Sequence, residues 1–142
     1  MKTGILVIGL FLVILVGVSG CTSNGTETNL KEYNGSYMSF HYPQEFKLTE
    51  TNTGRTIALT GNGNILINIY SDKSGQDMLI IGLGTPNNLT QYDTPFNYTT
   101  FKTKYDEEVM YFTKEGKYYV INYSPPLKEK VLIIVKTINS NQ

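Results

Sequence analysis

From Ser36 onward apolar and polar side chains alternate with period two, the pattern of strands that bury one face. Met38, Phe40 and Tyr42 alternate with Tyr37, Ser39 and His41; Ile65, Ile67 and Ile69 with Leu66, Asn68 and Tyr70; Tyr119, Ile121 and Tyr123 with Val120 and Asn122. Further strands are predicted over 56–60, 108–113 and 131–138, and the last is so apolar on both faces that it is placed centrally in a sheet. Turn residues separate these runs at Asn52-Thr53-Gly54, Gly61-Asn62-Gly63, Glu115-Gly116 and Pro125-Pro126. Glu115-Gly116, lying between two strand patterns, is the clearest hairpin. The expected fold is α+β but sheet-dominated: a single antiparallel twisted sheet of about six to seven strands with little helix.

Residues 77–101 break the pattern. Met78-Leu79-Ile80-Ile81 is followed by Gly82, Gly84, Pro86, two asparagines and Pro95, so no long helix is predicted, only a short strand or a helical turn at either end. Irregular segments of this length are usually functional or disordered. Part of its apolar surface must pack on the sheet. Leu83, Leu89, Tyr92, Phe96 and Tyr98 are the candidate partner contacts, against the plainer reading of a surface crossover that joins two strands.

Residues 1–20 are of another kind. Lys2 is followed by an apolar run over 4–18 and then by Ser19 and Gly20, the order of a secretory signal peptide. The run falls short of the roughly 20 apolar residues of a spanning helix. Cys21, the only cysteine in the chain of 142 residues, comes next. Val18-Ser19-Gly20-Cys21 resembles the lipobox of prokaryotic lipoproteins. That resemblance implies cleavage after Gly20 and a lipid on Cys21, which then serves as an anchor in the outer, extracytoplasmic face of the cell membrane. Two acyl chains hold stably where one does not, because each buried methylene contributes about 0.8 kcal/mol. Residues 21–33, rich in Thr, Ser, Asn and Gly, read as a flexible tether that holds the domain on the order of 20 Å from the bilayer. Residues 34–142 form a single sheet-rich domain.

Phe40-His41-Tyr42-Pro43-Gln44-Glu45-Phe46 resembles the F-x-Y-P-x-x-(W/F) opening of the PsbP-like proteins, which share their fold with the Mog-type Ran-binding proteins. The resemblance implies an antiparallel sheet flanked by helices, commonly an extracytoplasmic domain behind a lipoprotein signal and usually without enzymatic activity. It also implies a helix within 77–101 and a closing helix near the end, and the sequence shows neither clearly. No metal or partner residue of the family can be matched. On physical grounds alone the motif is a core corner: Phe40 and Tyr42 share a face, Pro43 ends the strand by withholding a ladder donor, and Phe46 resumes the packing.

Charge and chemistry narrow the rest. Twelve basic and twelve acidic residues, without a basic cluster, exclude a nucleic-acid footprint. His41 is the only histidine and alternates away from the Phe40 and Tyr42 face, so a His/Cys metal site fails by count, and a Cys-His pair is excluded because the lipobox resemblance gives the Cys21 thiol to a lipid. No serine stands in a nucleophile-elbow context. Asp106 and Glu108, with Asp93, could in principle offer oxygen ligands to calcium, but a solvated acidic turn is the plainer reading. No cofactor is expected. Tyr111 and Tyr118 are the one tyrosine pair that the pattern brings to a shared sugar-binding face. Asn24, Asn34, Asn88 and Asn97 head N-x-(S/T) sequons, and Asn122 heads a fifth that lies within a strand and is followed by Pro125. With a lipobox they point to a prokaryotic surface that carries N-glycans, such as an archaeal one. The function expected is that of a non-enzymatic binding or assembly module that meets an envelope protein or polymer. The alternatives are a hydrolytic or metal-dependent envelope enzyme and a carbohydrate-binding surface protein.

Overall fold

The computed structural model describes residues 29–84, 86 and 88–141. The predicted signal peptide, Cys21 and Asn24 lie outside the described residues. The first half supplies β1 (Leu30–Asn34), β2 (Met38–Pro43), β3 (Lys47–Thr51), β4 (Thr56–Gly61) and β5 (Gly63–Tyr70). Helix α1 (Lys73–Leu83) follows, then β6 (Thr90–Tyr92), β7 (Tyr98–Lys102), β8 (Glu108–Lys114) and β9 (Lys117–Tyr123). Helix α2 (Lys128–Thr137) and β10 (Asn139–Ser140) close the chain.

Two sheets form where the alternation predicts one. β3-β4-β5-β9-β8-β7-β6 make a seven-stranded antiparallel sheet, and β1-β2-β10 a separate three-stranded one. The small sheet and α2 cover one face of the large sheet. The expected alternation is present where it was read: Met38, Phe40 and Tyr42 of β2 meet Ile65, Ile67 and Ile69 of β5 and Tyr119, Ile121 and Tyr123 of β9 in one core. The Glu115-Gly116 hairpin is present too, with positive φ at both residues and Lys114 opposite Lys117, as a two-residue turn of matching twist requires.

Three expectations are corrected. Residues 131–138 are not a central strand, because residues 128–137 are helix α2. Val131, Ile134, Val135 and Ile138 are fully or almost fully buried at helical spacing, while Glu129 and Lys136 are exposed. Pro125-Pro126 lead into that helix through a 3-10 turn whose N-terminal residues need no amide donor. Second, the helical turn allowed at the start of 77–101 is part of the eleven-residue helix α1, and strands β6 and β7 lie within the rest of the segment. Asp72 caps α1 by accepting from the Gly75 amide at 3.0 Å, and Gln76, Leu79, Ile80 and Leu83 turn inward at helical spacing. Gly75 lets the helix approach the sheet, since a Cβ there would lie 2.5 Å from the Tyr70 ring. Both helices implied by the PsbP-like resemblance are therefore present. Third, the tether cannot extend to residue 33, because Leu30–Asn34 pairs residue by residue with β2, from Leu30 opposite Pro43 to Asn34 opposite Ser39. Tyr33 secures that strand by packing on Phe40 at 5.1 Å between ring centres and donating its hydroxyl to Glu50 at 2.8 Å.

The outer face of the large sheet is covered by α1. Ile80 packs with Phe101, Val109 and Val120, flanked by half-buried Tyr70, Leu79, Leu83 and Tyr111. Buried Gln76 donates its side-chain amide to the carbonyls of two facing residues, Phe112 at 3.2 Å and Tyr119 at 3.0 Å, which fastens the helix across β8 and β9. Among the described residues no helix is long and apolar enough to cross a membrane.

Candidate functional site

The segment predicted to carry partner contacts divides into a structural part and an exposed part. Tyr98 is buried in the core and Tyr92 stacks on it, ring centres 4.7 Å apart and nearly parallel. Phe96 lies against Tyr98 at 5.0 Å and edge-on to Phe112 at 5.3 Å. From α2, Lys128 places its ammonium 4.5 Å from the Tyr92 ring centre and donates to the Tyr92 hydroxyl at 3.2 Å. These rings seal the β6–β7 edge of the sheet against α2, so Tyr92, Phe96 and Tyr98 are packing residues. Leu83 is half-buried beside Ile80. Of the five expected contacts only Leu89 is exposed. Met78 and Ile81, three residues apart on the solvent side of α1, are exposed as well. Their exposure follows from the helix that the turn residues concealed.

Titratable groups are spent on structure. Glu108 accepts from the Tyr123 hydroxyl at 2.6 Å, Glu107 accepts from the Asn122 side-chain amide at 3.0 Å, and Asp106 pairs with Lys102 at 2.9 Å. The three carboxylates thus engage three different partners and do not converge with Asp93. Among the described residues no three His, Cys, Asp or Glu side chains come together as metal ligands. His41 is exposed on β2, and its main-chain N–H donates to the Thr137 hydroxyl at 2.9 Å. Burial, reinforced by the hydrogen bond to Glu108, pushes the Tyr123 phenol well above its ordinary range. Burial likewise raises Tyr119, to about 12, and its hydroxyl has no hydrogen-bond partner among the described residues.

Tyr111 and Tyr118 do not form an open sugar platform. Tyr118 lies opposite Tyr70 and Tyr111 opposite Val120, both half-buried near α1. A groove of about 570 Å³ between α1 and β6 includes Tyr111, Tyr92, Asp93 and Asn97, and Tyr118 is not part of it. Among the sequons, Asn88 and Asn97 are exposed in loops, and exposed Asn34 accepts from the Asn141 amide at 3.1 Å. Asn122 is half-buried within β9.

No family model matches the chain, and no curated protein matches it. Among solved structures the chain is similar to the solution structure of cyanobacterial PsbP (CyanoP) from Synechocystis sp. PCC 6803, with a TM-score of 0.51 and 11% identity over 87% of this chain and 98% of that one. At that identity the likeness speaks for the fold alone, and the fold is PsbP-like.

Proposed function

We propose that this protein is a membrane-anchored extracytoplasmic lipoprotein whose PsbP-like domain is a non-enzymatic binding or assembly module of the cell envelope. The observation that carries the reading is the order of the first residues: a charged start, an apolar run, then Val18-Ser19-Gly20-Cys21, with the described fold beginning only eight residues later at Asn29. The thiol serves as an attachment point and the sandwich is what it presents. Two features favour binding over catalysis: the scattered carboxylates, and the single, exposed histidine. Among the described residues edge strand β3 pairs only with β4, and its exposed Lys47, Thr49 and Thr51 offer that ladder edge to an envelope protein or polymer.

Cys21→Ala should abolish lipid labelling and processing after Gly20 and release the protein from membranes. Recovery of the unmodified protein on membranes with an intact N-terminus would sink the reading. Capture of partners by the lipidated protein from its own membranes then identifies what the module binds.

A further inference from the structure

The large apolar side chains left exposed are not spread evenly over the domain. The described chain starts at the end of the sandwich formed by Leu30, Pro43 and the Gly61–Gly63 turn, where Phe46 packs against Gly61. Ladder register carries that end across the large sheet from Ile65 to Tyr123, from Tyr123 to Glu108 and from Glu108 to Lys102. The β7–β8 loop therefore lies there too, with Tyr105 74% exposed at its tip and the Lys104 ammonium 4.9 Å from its ring centre. Helix α1 runs toward the same end. Gln76 reaches the Phe112 and Tyr119 pair near the far end, whereas Ile80 already meets Phe101 and Val109. Ile81, 69% exposed, and Leu89, which precedes β6, follow on that course, and Leu30 is exposed at the start of β1.

We propose that this end of the domain rests on the lipid bilayer, with Tyr105, Leu89 and Ile81 entering the headgroup region and Leu30 beside them. The proposal deepens the reading of a membrane-anchored domain and rests on it. Asn29 follows Cys21 by eight positions, and eight residue steps span at most about 29 Å even when fully extended. An anchor at Cys21 thus keeps this end close to the membrane whatever path the intervening chain takes. Tyrosine suits the interface because its ring is apolar and its tip polar, and Lys104 can lay its stem on that ring and direct its ammonium to the headgroups. Lys102 with Asp106, and Lys130 with Glu45 at 2.5 Å, pair charges at the same end. Contact should accordingly be apolar in origin and independent of anionic lipid.

The sequence itself makes the test clean, with one thiol and no tryptophan. Residues 21–142, which contain every element of the described fold, are coupled through Cys21 to a maleimide phospholipid in phosphatidylcholine vesicles with brominated chains. Single tryptophans are placed by Tyr105→Trp, Leu89→Trp and, at the far end of β3, Thr51→Trp. The first two should be blue-shifted and quenched by bromine several-fold more than the third. Equal and weak quenching at all three positions, or stronger quenching at Thr51→Trp, overturns the proposal. Because the lipid is supplied chemically, the outcome does not depend on modification in the cell. The mass of Cys21 in protein from its own membranes tests the anchoring reading separately.

Discussion

The two helices are of nearly equal length and lie on opposite faces of the same sheet, yet they are held by different means. α2 contributes Val131, Ile134 and Val135 to a cluster that joins β2 to the inner face of the large sheet, twenty buried residues among those described. α1 contributes Ile80 to a cluster of four and relies on Gln76 for a polar clamp, while Met78 and Ile81 face solvent. Hydrophobic stabilisation grows with the apolar area removed from water, so α2 belongs to the global folding unit. α1 is a lightly fastened cover that can open locally. A face that gives up little on exposure is suited to contact, whereas the face that holds the fold together is not.

Alkali should break the comparison most completely. Burial raises the phenols of Tyr98, Tyr119 and Tyr123, all on the α2 side. The unfolded chain loses these protons near pH 10 and the folded chain at higher pH, so the unfolded state binds fewer protons above pH 10 and stability falls as pH rises. Their contribution is complete below about pH 10 and is lost as pH climbs past the raised value of about 12 for Tyr119. The phenols of Tyr98, Tyr119 and Tyr123 should ionise only above pH 10 and together with loss of near-ultraviolet circular dichroism. Their ionisation at pH 10 with the fold intact would contradict the burial.

Within neutral solution, Ile134→Ala should lower global stability by about 3 to 4 kcal/mol through the cavity it leaves, read as a lower denaturant midpoint with an unchanged slope. Gln76→Ala should cost about 1 to 3 kcal/mol through the loss of two buried side-chain hydrogen bonds to the ladder carbonyls of Phe112 and Tyr119. Its signature should be local: faster amide exchange in α1 with α2 still protected. Equal acceleration in both helices would mean that they unfold as one unit, and the contrast would fail. Replacing Met78 and Ile81 together by Ser should change stability by less than about 0.5 kcal/mol per site, which thermal unfolding can check.

Much of the sheet is legible in the residues themselves. The alternation at 38–42, 65–69 and 119–123 assigns the buried face of three strands, because a one-residue slip would turn every Ile and Phe outward. Glu115-Gly116 specifies its hairpin through the positive φ that both positions need. The opening motif does as predicted: Phe40 and Tyr42 lie in the core and His41 outside it. The candidate contacts were less legible. Aromatic residues in a loop look alike whether they reach a partner or seal a sheet edge, and only the stack of Tyr92 on Tyr98 beneath Lys128 distinguishes the two.

What the sequence by itself determined is therefore the set of short-period strands, their turns and the corner at Pro43, since local steric and burial preferences act within a few residues. The tertiary structure decided the rest. Residues 131–138 are β-branched and apolar enough for a strand, and their buried set also fits a helix; contact with β2, reinforced by the Lys130–Glu45 pair, selects the helix. In α1, Gly75 and Gly82 weaken the local signal, and the Asp72 cap, the Tyr70 ring and the carbonyls of Phe112 and Tyr119 supply what propensity lacks. The split into two sheets has the same origin. β1, β2 and β10 come from opposite ends of the described chain, and no local pattern can specify a pairing between residues 39 and 139.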